Sequence, residues 1–202
     1  MMKDQDFSSY KLLAIPMMFL LSLEIISCLK EFVANGGPVV CTYMTGIVDE
    51  HNLANLGGWP QDLQDIFGIN LVEADTLYPF NRNKVRYGEK EHTSLLEVKQ
   101  AEFRDEYRED FYAHTPAITS HSFEKGKTYF IRGRLEQSFH SDFYGEIIKE
   151  LRLAPVISVQ HEKGVSVQAR QSETEDSFFV MNFTEENQVF ALINLFGIRS
   201  IK

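Results

Sequence analysis

The stretch from Thr42 to Gly68 constrains the fold of this chain more than any other. An apolar run leads into it, glycines at 46, 57 and 58 interrupt it, and a short amphipathic segment ends it. Glycines and polar clusters mark loops, so the pattern predicts a strand, a long polar loop and a helix. Loops that follow strands in α/β domains collect ligand and partner contacts. We therefore expect functional residues in this loop.

The most site-like residues of the loop are Asp49, Glu50, His51 and Asn52, with Trp59 near its end. Carboxylates and an imidazole can bind a cation or orient a sugar hydroxyl, whereas the alternative is a solvated loop that shapes an interface. No second cluster supplies further ligands at a recognised metal spacing. We predict no metal and no catalytic residue here, and interpret the five residues as a possible interface or active-site wall.

Apolar residues near the same loop allow two interpretations. They are Leu53, Leu56, Trp59, Leu63, Ile66 and Phe67. Such a set can form an exposed apolar patch of the kind that marks a subunit contact. It can equally line the core of the domain, and the sequence leaves this choice open.

The first part of the chain predicts a strand, a helix and a second strand. Tyr10 to Ile15 is an apolar run that ends at Pro16. Ser22 is a candidate N-cap for a helix that runs to Asn35, and a second apolar run spans Pro38 to Tyr43. A strand, helix and strand in this order predict a right-handed parallel crossover.

Further elements follow along the chain. They are a helix over Pro60–Phe67 ended by Gly68, a strand at Ile69–Ala74, an excursion or hairpin around Gly88, strands at Ala117–Ser120 and Thr128–Arg132 joined by a turn at Glu124–Gly126, and an amphipathic helix through Phe139, Phe143, Ile147 and Leu151. Beyond Pro155, short segments at Val156–Gln160, Val165–Arg170, Ser177–Phe183 and Gln188–Ile193 predict an antiparallel β piece.

Several blocks of the sequence, in order, resemble one family. They are Gly46–Glu50 followed by Gly57–Gly58 and Gly68–Ile69, then Asp110–Ala113, Thr115–Thr119, Lys125–Phe130, Gly164–Arg170 and Phe178–Phe183. The chain is similar to the middle, trimerisation domain of glycoside hydrolase family 42 β-galactosidases, plus part of their C-terminal β domain. The resemblance implies a strand within Thr93–Phe103, where periodicity alone does not decide.

The resemblance also implies a fold and a function. We expect an α/β, flavodoxin-like (class I glutamine amidotransferase-like) layered domain with a mostly parallel sheet over residues 8–154. A partial antiparallel β domain is expected over residues 155–202. The implied role is non-catalytic assembly of a homotrimer, or binding to a catalytic barrel subunit, with a possible β-galactoside contact. The family's two catalytic glutamates lie in the barrel, so the chain alone is expected to be inactive.

Two other functions are weighed against assembly. One is a stand-alone module of the same fold that binds a carbohydrate or a protein. The other is an amidotransferase-like enzyme that uses Cys41 at the end of its strand, although the flanking glycines of a nucleophile elbow are missing. We favour a core cysteine at this position.

Composition and local sequence exclude several other classes. The net charge of -9 disfavours nucleic acid and anionic membranes as partners. After Ile15 the chain is apolar rather than glycine-rich or hydroxyl-rich, so no FMN or dinucleotide cofactor is predicted. The apolar stretch Leu12–Leu29 contains a proline and a glutamate and is predicted not to span a membrane. A disulfide between Cys28 and Cys41 is poorly supported, so we expect a reducing, cytoplasmic location.

Overall fold

The computed structural model describes residues 6–54, 56–71, 86–87, 90–91, 97–98, 102–106, 116–154, 158–161, 164–172, 174–187 and 190–193. The chain divides into two compact units, Met1–Gly145 and Glu146–Lys202. The helices are α1 (Leu23–Ala34), α2 (Gln64–Phe67), preceded by a 3-10 turn at Gln61–Leu63, and α3 (Gln137–Glu150). No helix in these ranges is long and apolar enough to cross a membrane.

Thirteen strands are described within these ranges. In chain order they are β1 (Leu13–Ile15), β2 (Val39–Thr42), β3 (Ile69–Asn70), β4 (Arg86–Tyr87), β5 (Lys90–Glu91), β6 (Glu97–Val98), β7 (Glu102–Glu106), β8 (Pro116–Phe123), β9 (Gly126–Ile131), β10 (Ser158–His161), β11 (Val165–Gln171), β12 (Asp176–Asn182) and β13 (Phe190–Ile193).

A five-stranded sheet in the order β1-β2-β9-β8-β7 forms the centre of the first unit. Strands β1, β2 and β9 pair in parallel, and β8 pairs antiparallel with both β9 and β7. Four of the five strands therefore point the same way, and only β8 opposes them. The sheet is mixed and mostly parallel, and the expected parallel pairing of the first two strands is confirmed.

Helix α1 begins and ends where the sequence predicts. The Ser22 side chain accepts a hydrogen bond from the amide of Ile25 at 3.3 Å, so it caps an otherwise unsatisfied N–H group. At the other end, the amide of Asn35 donates to the carbonyl of Glu31 at 3.0 Å. The helix buries Leu29 and Val33, which are four residues apart and so lie on one face.

Helices pack on both faces of the central sheet. Phe130 of β9 belongs to the main core cluster, and its ring meets that of Phe67 from α2 edge to face at 5.6 Å. The preceding residue, Tyr129, meets the ring of Phe143 from α3 at 5.7 Å. Because neighbouring residues of a strand point to opposite faces, α2 and α3 cover opposite faces of the sheet. The layered α/β architecture follows from this arrangement.

Other predicted elements of the first unit are found, with shorter bounds. Helix α2 ends at Gly68, whose φ of 62° is the left-handed cap predicted there. Strand β3 covers only the first two residues of the predicted Ile69–Ala74 strand and pairs antiparallel with β6. Residues 72–74 lie outside the described residues. Strands β4 and β5 pair as the predicted hairpin around position 88, and β8 and β9 meet at the predicted turn.

The second unit contains two antiparallel pairs, β10 with β13 and β11 with β12. The longer pair keeps one register from Val165 opposite Asn182 to Gln171 opposite Asp176. The predicted antiparallel β piece is therefore confirmed.

Candidate functional site

The loop that follows β2 turns at Tyr43–Met44 and then lies beside the segment that follows β1. The amides of Gly46 and Ile47 donate to the carbonyls of Met18 and Phe19, at 2.9 and 3.0 Å. Val48 then forms a parallel bridge with Leu20 and an antiparallel bridge with Ala54. Three neighbouring extended segments are thus held together beyond the carboxyl ends of β1 and β2.

Two buried threonines fix the point at which this loop leaves the sheet. The hydroxyl of Thr42 accepts a hydrogen bond from the amide of Met17 at 2.8 Å. The hydroxyl of Thr45 donates to the carbonyl of Thr42 at 2.7 Å. Both threonines are buried, and their hydroxyl bonds join the two chain segments where these leave the sheet.

Asp49 shapes the middle of the loop. Its Oδ1 accepts hydrogen bonds from the amides of Leu53 and His51, at 2.9 and 2.8 Å. The hydrogen bond from Leu53, followed by the bond and the charge of His51, holds the pKa of the Asp49 carboxyl below its ordinary value. The carboxylate therefore accepts hydrogen bonds from backbone amides of its own loop.

The neighbours of Asp49 are solvated. Glu50, His51 and Asn52 are all exposed, and Asn52 has a φ of 60°, which is tolerated well by asparagine. Among the described residues, no group of three His, Cys, Asp or Glu side chains is placed to hold a metal ion. Glu50, His51 and Asn52 therefore form a solvated part of the loop.

Trp59 anchors the far end of the loop. Its amide and carbonyl exchange hydrogen bonds with Leu71, at 2.9 and 2.7 Å, and its half-buried side chain packs against the core. Gly58 precedes it with a φ of 92°, and a Cβ there would collide with Asn70 Oδ1 and the Leu71 carbonyl. The close approach of these two backbones requires glycine.

The structure divides the apolar residues for which the sequence allowed two interpretations. Leu63, Ile66 and Phe67 are core residues with at most 1% of their surface exposed. Leu53 and Leu56, in contrast, are 64% and 92% exposed. The two leucines of the loop are therefore exposed, whereas the three apolar residues that follow it belong to the core.

Sequence reasoning missed a second exposed apolar group next to the loop. Met17, Phe19, Leu20 and Leu23 expose between 40% and 66% of their surface. The sequence does contain a sign of this exposure. Pro16 ends the strand, and the apolar run after it belongs to neither β1 nor α1. Met17, Phe19 and Leu20 lie on the segment that is bonded to the loop, and Leu23 is the first residue of α1.

Cys41 is not placed as a nucleophile. The side chain is fully buried, and burial raises the pKa of its thiol to about 12. A nucleophilic cysteine needs thiolate and access, and this position provides neither. Cys28 and Cys41 are both free thiols.

Comparison with known proteins decides the family. A sequence model described as the beta-galactosidase trimerisation domain matches residues 1–154. The chain belongs to this family. It is 52% identical over 195 residues to beta-galactosidase GalA of Bacillus licheniformis, which covers 94% of this chain and 29% of GalA. It is 53% identical over 192 residues to beta-galactosidase GanA of Bacillus subtilis, covering 93% of this chain and 29% of GanA.

Solved structures show the same trimerisation-domain fold. A catalytic mutant of Gan42B, a GH42 beta-galactosidase from G. stearothermophilus, matches with a TM-score of 0.82 and 54% identity. The match covers 93% of this chain and 28% of that chain. This chain thus spans less than a third of the length of the beta-galactosidases that it matches, and its residues 1–154 correspond to the trimerisation domain.

Proposed function

We propose that this chain assembles the subunits of a β-galactosidase-like glycoside hydrolase into a homotrimer. The observation that carries the proposal is the match of residues 1–154 to the beta-galactosidase trimerisation domain. The hydrolytic reaction named for GalA and GanA would be performed by a catalytic barrel, in the part of those enzymes outside the match. The contribution of this chain is to hold such barrels in a ring.

The same proposal gives the loop after β2 a place in the assembly. The loop would wall the entrance to an active site, with Asp49, Glu50, His51, Asn52 and Trp59 facing it. Three of these side chains are exposed, and the bonds made by Asp49 and Trp59 hold the loop in one shape. A β-galactoside contact at this wall would use polar side chains on a backbone that is already bonded in position, which lowers the entropic cost of binding.

Three further features belong to the proposal. The α/β domain is flavodoxin-like, as supported by the parallel strands and the helices on both sheet faces. It ends at residue 154, where the family match ends. The location is cytoplasmic, which the two free thiols support.

Sedimentation equilibrium of the purified chain tests the proposed assembly. A trimer should appear at three times the monomer mass of 23.3 kDa. The same sample should not hydrolyse a chromogenic galactoside above the rate of a blank. A chain that stays monomeric at every concentration overturns the assembly role, and one that also retains a sugar would support the binding-module alternative.

Turnover of the galactoside would contradict the non-catalytic role. Repeating the assay on a Glu50→Gln variant would then locate the activity, since a loss of turnover would assign it to the loop. Unchanged turnover would assign it elsewhere in the chain.

A further inference from the structure

We infer that the second unit carries a binding site for an oligosaccharide of β-linked galactose, on one face of the β11–β12 pair. The site consists of Phe179 and Phe183 in one row and Gln168 and Arg170 in the row beside it, and we call it the Phe179 face. The inference rests on the proposed function, which makes β-galactosides the sugars that this protein meets.

The two faces of the β11–β12 pair differ in composition, because successive side chains of a strand point to opposite faces. One face is apolar apart from Asn182 and carries Val165, Val167, Ala169, Phe178 and Val180. The other face is mostly polar and carries Ser166, Gln168, Arg170, Ser177, Phe179 and Met181. An antiparallel pair commonly packs one face on a core and leaves the other in water. The second face has the composition of the side in water.

Two aromatic rings lie on this mostly polar face. Phe179 is 53% exposed and lies in the middle of β12. The pairing continues past the end of β12, because the Phe183 amide donates to the Gly164 carbonyl at 2.9 Å. Alternation therefore places Phe183, which is 73% exposed, in the same row as Phe179. Both rings point away from the apolar face of the pair and are available to a ligand.

The row beside the two rings supplies hydrogen-bonding groups. Gln168 lies directly opposite Phe179, and the Cβ atoms of such a pair are about 5 Å apart. The Gln168 amide is exposed and can donate and accept. Arg170 is also exposed, and its guanidinium has N–H groups besides the one that donates to the Ala169 carbonyl at 3.1 Å.

A row of rings beside a row of polar groups fits the chemistry of a sugar chain. A galactose ring has an apolar side of C–H groups and a rim of hydroxyls. The face of an aromatic ring is electron-rich and attracts the C–H side, while the polar row bonds the hydroxyls. Phe179 and Phe183 are about 13 Å apart along the extended strand, so one sugar ring does not reach both. The ligand is therefore an oligosaccharide.

Charge around the Phe179 face favours a neutral sugar. Glu175 lies in the turn before β12, and Glu185 and Glu186 follow Phe183, so carboxylates stand at both ends of the row. All three are exposed. They repel an acidic polysaccharide, whereas a chain of galactose carries no charge.

Affinity gel electrophoresis of the complete chain tests the site. Native gels contain increasing amounts of a soluble polymer of β-linked galactose, and the retardation gives the dissociation constant. Gels with dextran, a neutral polymer of a different sugar, are run beside them. The variants are Phe179→Ala, Phe179→Tyr, which keeps the ring, and Val180→Ala, the matched control on the opposite face of β12. Phe179 and Val180 are both partly exposed, so circular dichroism should be unchanged in all three variants.

We expect the galactose polymer to retard the parent, Phe179→Tyr and Val180→Ala alike, and to bind Phe179→Ala about 10-fold more weakly, because an aromatic contact is lost. Equal binding by Phe179→Ala overturns the site, and equal retardation by dextran overturns the match to β-galactosides. A parent that neither gel retards also overturns the site, and leaves standing the assembly role, which sedimentation measures. A monomeric parent that the galactose polymer retards through Phe179 supports the site and overturns the assembly role.

Discussion

Gly57 and Gly58 have nearly the same φ angle but very different surroundings. Their φ angles are 97° and 92°, so an alanine at either position adopts a strained conformation. Only at position 58 would the new Cβ collide with the backbone of Leu71 and the side chain of Asn70. Gly57→Ala should lower the free energy of unfolding by about 1 kcal/mol, and Gly58→Ala by about 3 kcal/mol or more.

Urea denaturation of the two glycine variants measures this difference. Gly57→Ala is the control, because it carries the strain without the collision. Equal losses in the two variants would show that the contact between the loop and Leu71 relaxes freely, and that position 58 does not require glycine.

The two cysteines should differ sharply in reactivity. Cys41 is fully buried and its thiol has a pKa of about 12, whereas Cys28 is partly exposed on α1. Alkylation needs the thiolate, so at pH 8 Cys41 should react at least about 100-fold more slowly than Cys28. Mass spectrometry of peptides from briefly labelled native chain gives both rates.

Denatured chain supplies the control for the cysteine experiment. In urea the two thiols should label at similar rates, because the difference arises from burial and not from sequence. Faster labelling of Cys41 in the native chain would revive the amidotransferase-like alternative.

The loop residues also show what the sequence alone does not predict. The sequence predicted Asp49, Glu50, His51, Asn52 and Trp59 as the loop residues that matter, from their type and position alone. It could not show that Asp49 bonds its own loop or that Trp59 pairs with Leu71, twelve residues later, because both facts depend on how the loop turns.

At the scale of elements, the N-cap of α1 offers a direct test. The Ser22 hydroxyl satisfies the amide of Ile25, and an alanine would leave that amide without its side-chain partner. Ser22→Ala should cost about 1 kcal/mol in the free energy of unfolding, and Ser22→Asp should cost little, because aspartate is an equally good cap. Thermal and urea melts of the two variants check this, and a harmless alanine would contradict the capping role.

Elements with strong local signals were predicted well, and those set by distant pairing were not. Caps and four-residue spacing fix α1 and α3 locally, so both were found close to their observed bounds. Strand β3 pairs with β6, which lies nearly thirty residues away, and nothing in the local sequence indicates that partner. The exposed run from Met17 to Leu20 was missed for a similar reason, since apolar residues are normally expected inside.

At the scale of the whole molecule, sequence periodicity predicted alternating strands and helices. The family resemblance predicted that the domain formed by them assembles subunits. The order of the central sheet could not be read in the same way, because β9 lies beside β2 although many residues separate them. The exposed side of the loop also depends on this order. Which apolar residues remain uncovered is therefore a property of the folded unit and not of any single segment.

Two boundaries for the first domain lie on either side of the end of α3. The family match ends at residue 154, whereas the two compact units divide after Gly145, within α3. Phe139, Phe143 and Ile147 are spaced four apart and almost fully buried, so they form one stripe of the helix. A cut after residue 145 removes the third member of this stripe and the last turn, whose Leu151 amide bonds to the Ile147 carbonyl.

A chain of residues 1–154 should therefore unfold cooperatively and be more stable than a chain of residues 1–145. The expected difference is about 2–5 kcal/mol, the usual cost of deleting a buried isoleucine side chain. Ile147→Ala in the 154-residue chain is the matched control and should account for most of that loss. If urea melts show the two truncated chains to be equally stable, the stripe ends at Phe143, and the boundary of the domain belongs at Gly145.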